Sequence, residues 1–159
     1  MKALRVEEEW QRAGVYYIRT EAMVFGFDLT LENEFSGDAV DDKYILVLDD
    51  NGKPLSTNRL HELPEMKAAK IERVATVSTA RGCGAGRLGI EAAEAWAKEL
   101  GYSHIIITSR EEAAGFYEKL GYKAREDMNP ETLKARTPKD VVRKDIDPRF
   151  ICVYMEKYL

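Results

Sequence analysis

The sequence predicts a fold of the α/β class, of the α+β type, in which helices pack on a mixed sheet. Residues 44–48 and 54–60 are strand-like runs that flank residues 49–52, where Asn-Gly is typical of a β-hairpin turn. Further along, an apolar strand leads through the glycine-rich residues 81–86 into a long amphipathic helix. Residues 105–107 are all isoleucine, as in a strand covered on both faces.

The first half of the chain is predicted to supply one helix and an antiparallel meander. Residues 3–6 form a short edge strand, and residues 7–24 have the periodicity of an amphipathic helix. The apolar stripe of this helix consists of Trp10, Ala13, Tyr17 and Met23. We expect Trp10 to pack in the core. After the hairpin and a connection at residues 61–67, a third strand follows at residues 68–78.

The second half of the chain is predicted to complete the sheet. A short helix at residues 111–120 follows the isoleucine strand, and residues 122–125 form the next strand. Residues 126–149 are polar and contain three prolines, so we expect an insertion, with a short helix at about residues 138–144. Residues 150–155 form the last strand.

The glycine-rich turn predicts a phosphate-binding site. Glycines let backbone N–H groups approach an anion, and the start of a helix adds unpaired donors and a favourable dipole. Arg81, Gly84 and Gly86 match R-x-x-G-x-G, whereas Gly84, Gly86 and Gly89 match the dinucleotide fingerprint G-x-G-x-x-G. The fingerprint also requires an acid at the end of the next strand, where residues 108–109 are Thr and Ser. A third interpretation is a loop whose glycines serve only to turn the chain.

Two further segments extend the first of these interpretations. Residues 71–77 form an apolar strand that leads into the loop, and residues 116–122 read Phe-Tyr-Glu-Lys-Leu-Gly-Tyr. With R-x-x-G-x-G, these segments resemble the central strand, the pyrophosphate loop and the F-Y-x-K-L-G-[FY] signature of the GNAT superfamily of acyl-CoA-dependent N-acetyltransferases. The resemblance covers roughly residues 68–125. Arg110 stands where members often have an asparagine that contacts the cofactor.

The resemblance implies both a fold and a reaction. The fold is a mixed, mostly antiparallel sheet of about six to seven strands with helices on both faces. The reaction is transfer of an acetyl group from acetyl-CoA to a primary amine on a small molecule or a peptide. Two other functions stay open, namely a non-catalytic acyl-CoA-binding regulatory module and a dinucleotide-binding protein.

The resemblance also implies which residues bind acetyl-CoA. The loop and Arg81 hold the diphosphate, and the backbone of the central strand pairs with the pantetheine. The implied cofactor-binding residues are Val74, Ala75, Thr76, Val77, Arg81, Gly82, Cys83, Gly84, Ala85, Gly86, Arg87, Ser109 and Ala113. Cys83 is expected to be a small residue that fits the loop, and the alternative is a thiol made reactive by the loop N–H groups.

Two side chains are candidates for the proton transfers of this reaction. By its place in the signature, Tyr117 is expected to protonate the departing thiolate, since a phenol with a pKa of about 10 suits that leaving group. Glu72, in the central strand, is expected to act as the base, directly or through water, if burial raises its pKa. The alternatives are core packing for Tyr117 and an ion pair with Arg73 or an adjacent strand for Glu72.

The resemblance places the acceptor site beside the N-terminal half. Residues 17–19 and 24–25 loosely match a helix that packs beside that site, so Arg19 and Glu21 either face the acceptor or are solvated. Residues 25–42 are predicted to be a loop with one helical turn. Its acids are Glu32, Glu34, Asp38, Asp41 and Asp42. They either attract an amine or are simply solvated.

Composition and charge limit the partners of the chain. The 159 residues are 45% hydrophobic and 33% charged, which is typical of one soluble globular domain over residues 1–159. The net charge of −4, with both signs interspersed, argues against nucleic-acid binding. The sequence shows no secretory signal or membrane-spanning run, which predicts a cytoplasmic protein. Two cysteines and two isolated histidines predict no metal site. A homodimer is one role considered for residues 126–149.

Overall fold

The computed structural model describes residues 1–130 and 147–159, whose seven strands form one sheet in the order β1-β2-β3-β4-β5-β7-β6. The strands are β1 (Lys2–Arg5), β2 (Lys43–Leu48), β3 (Pro54–Leu63), β4 (Ala68–Thr76), β5 (His104–Arg110), β6 (Lys123–Ala124) and β7 (Cys152–Tyr158). The predicted mixed sheet is confirmed. Residues 131–146, which contain the predicted helix at 138–144 and most of the predicted insertion, lie outside the described residues.

The helices of the described residues match the predicted segments. They are α1 (Glu9–Arg19), α2 (Leu31–Phe35), α3 (Ala85–Glu99) and α4 (Ala114–Glu118). A π-helical turn, Thr20–Phe25, continues α1, so the helix predicted over residues 7–24 is one continuous helical segment. Helix α2 is the single helical turn expected within the acidic loop. Across the described ranges, no helix combines the length and the apolar character needed to cross a membrane.

The sheet separates two apolar layers, which confirms that helices cover both of its faces. Side chains alternate along a strand, so neighbouring residues of β2 belong to different layers. Ile45 and Val47 pack in the layer that contains α3, whereas Tyr44 and Leu46 pack in the layer that contains α1. All four side chains are almost fully buried. The chain therefore buries an apolar core on each side of one sheet.

The apolar stripe predicted for α1 is wrong. Trp10 and Tyr17 are 54% and 57% exposed, whereas Val15, Ile18 and Ala22 are buried. The buried positions are three and four residues apart, which places them on one face of the helix. That face carries small and β-branched side chains because it lies directly on the sheet. Trp10 and Tyr17, which are seven residues apart, lie on the opposite side of the helix and keep much of their surface in solvent.

The sheet opens at its parallel pair, β4 and β5. Their pairing ends at Lys70 and Ile106. Strand β4 nevertheless stays paired with β3 as far as Thr76, and β5 stays paired with β7 as far as Arg110. Each strand therefore keeps its outer neighbour while the two inner edges separate, and the gap between them is the candidate site.

Candidate active site

The gap between β4 and β5 is a cavity of about 550 Å³. Residues 70–74 of β4 line one wall, and residues 107–110 of β5 line the opposite wall. Ala113 and Tyr117 contribute from the segment that follows β5, and Met23, Leu29 and Glu34 contribute from the segment that follows α1. The cavity thus brings together three segments that are far apart in the sequence. They are the central strand, residues 25–42, which we call the acidic segment, and residues 116–122, which carry the F-Y-x-K-L-G-Y signature.

A β-bulge in β4 shapes this wall of the cavity. The register between β3 and β4 shifts between Thr57 and Arg59, and Arg73 has a φ of +52° in the left-handed region. A bulge bends its strand and redirects side chains. It explains why β4 leaves β5 while it remains paired with β3.

The four residues predicted to pair with the pantetheine, Val74, Ala75, Thr76 and Val77, differ in what their backbone groups contact. Val77 N–H donates to the carbonyl of Leu55 at 2.9 Å, and the Ser56 hydroxyl donates to the carbonyl of Ala75 at 2.9 Å. Both are also buried side chains of the α1 layer. Because backbone polar groups alternate along a strand, those of Val74 and Thr76 are on the open edge. These two residues fit pairing with an extended ligand best.

The glycine-rich loop has a backbone that favours glycine and leads directly into α3. Gly82 and Gly84 have φ values of +79° and +90°, which favour glycine. Helix α3 begins at Ala85, directly after Gly84, so the amides of its first turn lack intrahelical acceptors. A Cβ atom on Gly86 would lie 3.4 Å from the side chains of Phe116 and Thr76. The start of α3 thus packs close to both β4 and the segment that carries Tyr117.

The charged and thiol side chains of the loop lie outside the main cavity. Arg81 lines a second cavity of about 350 Å³ together with Glu21, Ser78 and the residues around Phe25. Arg87 is exposed and forms an ion pair with Glu91, one helical turn away. Cys83 is exposed. Arg81 and Arg87 thus flank the loop on the solvent side.

Tyr117 is both a core residue and a cavity residue. Its side chain is almost fully buried and packs edge-on against Phe116 and Tyr122, with ring centroids 5.0 and 6.0 Å away. It also lines the gap between β4 and β5. Burial raises the pKa of Tyr117 well above that of a free phenol. The phenol therefore keeps its proton at neutral pH, and it is a weaker acid than the free phenol on which the expectation was based.

Ser109 and Ala113 line the same cavity as Tyr117. Ser109 is buried, and its hydroxyl donates to the carbonyl of Arg110 at 2.8 Å. The Arg110 guanidinium lies 4.5 Å from the centre of the Phe27 ring and also lines the cavity. Arg110, which stands where members of the superfamily often have an asparagine, is thus held against Phe27 of the acidic segment.

Glu72 does not meet the predicted condition for a base. The guanidinium of Arg59 donates to its carboxylate from Nε at 3.0 Å, and Lys70 Nζ lies 3.3 Å away. Burial alone would raise the pKa of Glu72, but the charges of Lys70 and Arg59 outweigh it and lower that pKa. The expectation of a raised pKa is wrong. The ion-pair alternative is confirmed, with Arg59 of adjacent β3 and Lys70 as the partners.

A network of buried charges extends from Glu72 beneath the cavity. Arg19 is fully buried, and its Nε donates to Glu34 Oε1 at 2.8 Å and its Nη1 to Asp38. Arg59 Nη1 donates to Asp42 Oδ2 at 2.9 Å. The Tyr44 hydroxyl also donates to Asp38. Burial would raise the pKa of Asp38, but Arg19 and Tyr44 lower it, so the carboxylate stays ionised at neutral pH.

This network corrects the interpretation of Glu34, Asp38 and Asp42 as solvated or as attractors of amines, whereas Glu32 and Asp41 are exposed. Glu34 is 2% exposed, and the side chains of Asp38 and Asp42 are 9% and 8% exposed. Arg19 is neither solvated nor open to the acceptor. The network contains residues of α1, β2, β3 and β4. Because these residues are far apart along the chain, the network cannot be recognised from the sequence. One local feature could have indicated that Arg19 is buried, because its position continues the spacing of the buried residues of α1.

Comparisons with known proteins agree with this architecture. The model of the "Acetyltransferase (GNAT) family" matches residues 4–122. "Uncharacterized N-acetyltransferase YjcF" of Bacillus subtilis is 29% identical over 147 residues, which are 91% of this chain and 100% of that protein. An uncharacterized acetyltransferase of Streptococcus pyogenes serotype M1 is 37% identical over 79 residues, which are 49% of this chain and 54% of that protein.

Solved structures show the same fold. An N-acetyltransferase structure from Lactobacillus plantarum superposes with a TM-score of 0.79 at 26% identity, covering 99% of this chain and 97% of that one. A Mycobacterium tuberculosis protein in complex with CoA has a TM-score of 0.70 at 17% identity, with coverage of 100% and 99%. The sequence match over residues 4–122, the seven-stranded sheet and the parted central strands agree. The chain is a member of the GNAT acetyltransferase family.

Proposed function

We propose that the protein transfers an acetyl group from acetyl-CoA to a primary amine. The observation that carries this proposal is the cavity between β4 and β5. It has the glycine-rich loop near the end of β4 and the protonated phenol of Tyr117 in its wall. A non-catalytic acyl-CoA-binding module would need the loop and the cavity, but it would not need a proton donor there.

The proposed path of acetyl-CoA follows the open edge of β4. The first-turn amides of α3 and the amides around Gly82 and Gly84 bind the diphosphate, since unpaired N–H groups at a helix start favour anions. The backbone groups of Val74 and Thr76 pair with the pantetheine. The presence of CoA in the structure of the Mycobacterium tuberculosis protein of the same fold supports CoA as the class of ligand. Ser109 and Ala113 line the opposite wall.

The proposed chemistry needs one proton donor at the departing sulfur. The neutral amine attacks the thioester carbonyl, the carbon–sulfur bond breaks, and Tyr117 gives its proton to the thiolate. The amide product forms when the attacking nitrogen loses a proton, and that proton restores the phenol by way of solvent. Glu72 is a weak base because its pKa is lowered, so we assign it to holding Arg59 and Lys70 in the cavity wall.

Calorimetry with CoA, acetyl-CoA and NAD tests the cofactor. We expect binding of the two CoA ligands and none of NAD. A screen of amines for acetyl-CoA-dependent release of CoA tests the transfer. Preferential binding of NAD would support the dinucleotide interpretation instead. CoA binding without turnover of any amine would favour the non-catalytic module.

Arg81→Ala is expected to weaken CoA binding by about ten- to a hundredfold, because a charge-assisted contact to phosphate contributes about 1.5–3 kcal/mol. Pantetheine, which lacks the diphosphate, should bind the variant and the wild type equally. Arg81→Lys keeps the charge and is the matched control. An equal loss of affinity for both ligands in Arg81→Ala would mean that Arg81 supports the loop and does not bind phosphate.

A further inference from the structure

The acids beside the cavity are already engaged by cations. Glu34 binds Arg19, and Glu72 binds Arg59 and Lys70. Asp38 and Asp42 lie behind them and bind Arg19 and Arg59. A positively charged acceptor would have to displace a cation from these buried pairs, which would leave that cation as an uncompensated buried charge. The carboxylates therefore do not form a site for a second positive charge on the acceptor.

Arg73 is the opposite case. Its guanidinium lines the cavity with 36% of the side chain exposed, and Glu34 Oε2 lies 3.6 Å away, beyond hydrogen-bond distance. No acceptor among residues 1–130 and 147–159 takes a hydrogen bond from it. The guanidinium has five N–H donors in a planar fork that matches a carboxylate or a phosphate. Arg73 thus has an ion-pair contact with Glu34, but it presents to the cavity N–H donors that no described acceptor uses.

The backbone of Arg73 shows that this placement has an energetic cost. An arginine with a φ of +52° is in a region that favours glycine, and such conformations persist mainly where the surroundings impose them, often at functional sites. Glycine would build the same bulge without the strain. The side chain therefore gives this position a role that the bulge alone does not need.

Arg110, the other partly exposed arginine of the cavity, is held differently. It stacks on Phe27 and faces Glu112 at 3.5 Å. It also lies at the end of β5, whereas Arg73 lies at the bulge of β4, beside Glu34, with one guanidinium nitrogen close to Gly37. Both arginines thus face the acidic segment, where the acceptor is expected, but Arg110 is stacked on a ring there, whereas the N–H donors of Arg73 have no described acceptor.

We propose that the acceptor carries an anionic group, a carboxylate or a phosphate, in addition to its amine, and that Arg73 binds this group. This inference rests on the proposed acetyl transfer and names the substrate class of that site. The amine then reaches the thioester while its acidic group is held at the bulge. Polyamines and other purely cationic amines are poor acceptors.

The test compares matched amines with and without the anion. β-Alanine is measured against β-alaninamide, and phosphoethanolamine against ethanolamine, as kcat/KM for acetyl-CoA-dependent CoA release. We expect one anionic amine to exceed its neutral partner by about ten- to a hundredfold, the scale of one charge-assisted contact. The pair with the larger ratio identifies carboxylate or phosphate as the group that Arg73 binds.

Variants of Arg73 connect this preference to the side chain. Arg73→Asn removes the charge with a residue that tolerates positive φ, and it should abolish the preference mainly through KM. Arg73→Lys should retain part of it. Arg5→Asn, an exposed arginine on the edge strand β1 that pairs with Glu99, is the matched control and should behave as wild type. Far-ultraviolet circular dichroism confirms that each variant is folded.

Binding of the same amines by calorimetry, with and without CoA, gives a readout that does not need turnover. Binding that favours the anionic amine and that Arg73→Asn removes supports the proposal. Equal or better use of neutral or cationic amines by the wild type overturns it, and so does a preference that survives in Arg73→Asn. Failure to bind CoA overturns the proposed function instead, and the amine measurements without CoA still report on Arg73.

Discussion

Tyr117→Phe is expected to reduce turnover by about a hundredfold or more while leaving CoA affinity nearly unchanged. The substitution keeps the aromatic ring that packs against Phe116 and Tyr122 and removes only the hydroxyl. That hydroxyl makes no hydrogen bond within the described part of the chain, so its loss leaves no buried partner unsatisfied. The thiolate must then leave without a proton donor. Single-turnover kinetics and CoA calorimetry measure the two quantities.

Tyr122→Phe is the matched control for this experiment. Tyr122 is an equally buried tyrosine in edge-on contact with Tyr117, but its hydroxyl donates to Glu94 at 2.8 Å and does not line the cavity. We expect a modest loss of stability and little change in turnover. Full activity in Tyr117→Phe, or equal losses of activity in both variants, would show that Tyr117 is a packing residue.

Arg19→Met is expected to lower the free energy of unfolding by about 3–5 kcal/mol, because removing one partner of a buried ion pair leaves an uncompensated charge. Methionine fills a similar volume, so the loss reflects charge more than packing. Arg19 is fully buried, and both Glu34 and Asp38 depend on it. Urea denaturation followed by circular dichroism measures the change.

Arg5→Met provides the comparison for Arg19→Met. Arg5 pairs with Glu99 at the surface, where the two side chains are 38% and 61% exposed. Surface pairs contribute about 0–1 kcal/mol, so this variant should unfold close to the wild-type urea midpoint. If the free energy of unfolding of Arg19→Met also stayed within about 1 kcal/mol of the wild-type value, the buried network would not stabilise the fold. Apolar packing alone would then determine the shape of the cavity wall that lies against the network.

The strands, the loop and α3 could be predicted because their signals are local. Asn-Gly between two strand-like runs, three glycines before an amphipathic helix and a run of isoleucines each specify structure within a few neighbouring residues. The gap between β4 and β5 is different. Nothing at Arg73 indicates a bulge, since the residue is not glycine, and the left-handed backbone is imposed by tertiary contacts.

The charged residues of the site could not be placed from the sequence for a related reason. Arg19 meets Glu34 and Asp38 across 15 and 19 residues, and Arg59 meets Asp42 across 17. Isolated charges in a sequence are usually solvated, so the exceptions become visible only when strands and helices pack. For Glu72, burial and nearby cations have opposite effects on the pKa, and only the structure shows which effect is larger.

The short parallel pairing also links the fold to the supply of its ligand. Within residues 1–130 and 147–159, only three register positions, Ala68↔His104 to Lys70↔Ile106, join the two antiparallel halves of the sheet directly. A ligand that binds along the open edge would contact both halves of the sheet. Because the edge forms only when the chain folds, the ligand would bind only the folded protein. By mass action, such a ligand at about one hundred times its Kd adds about 2.7 kcal/mol to the free energy of unfolding. The amount of folded protein in a cell would therefore follow the concentration of the molecule that occupies the gap.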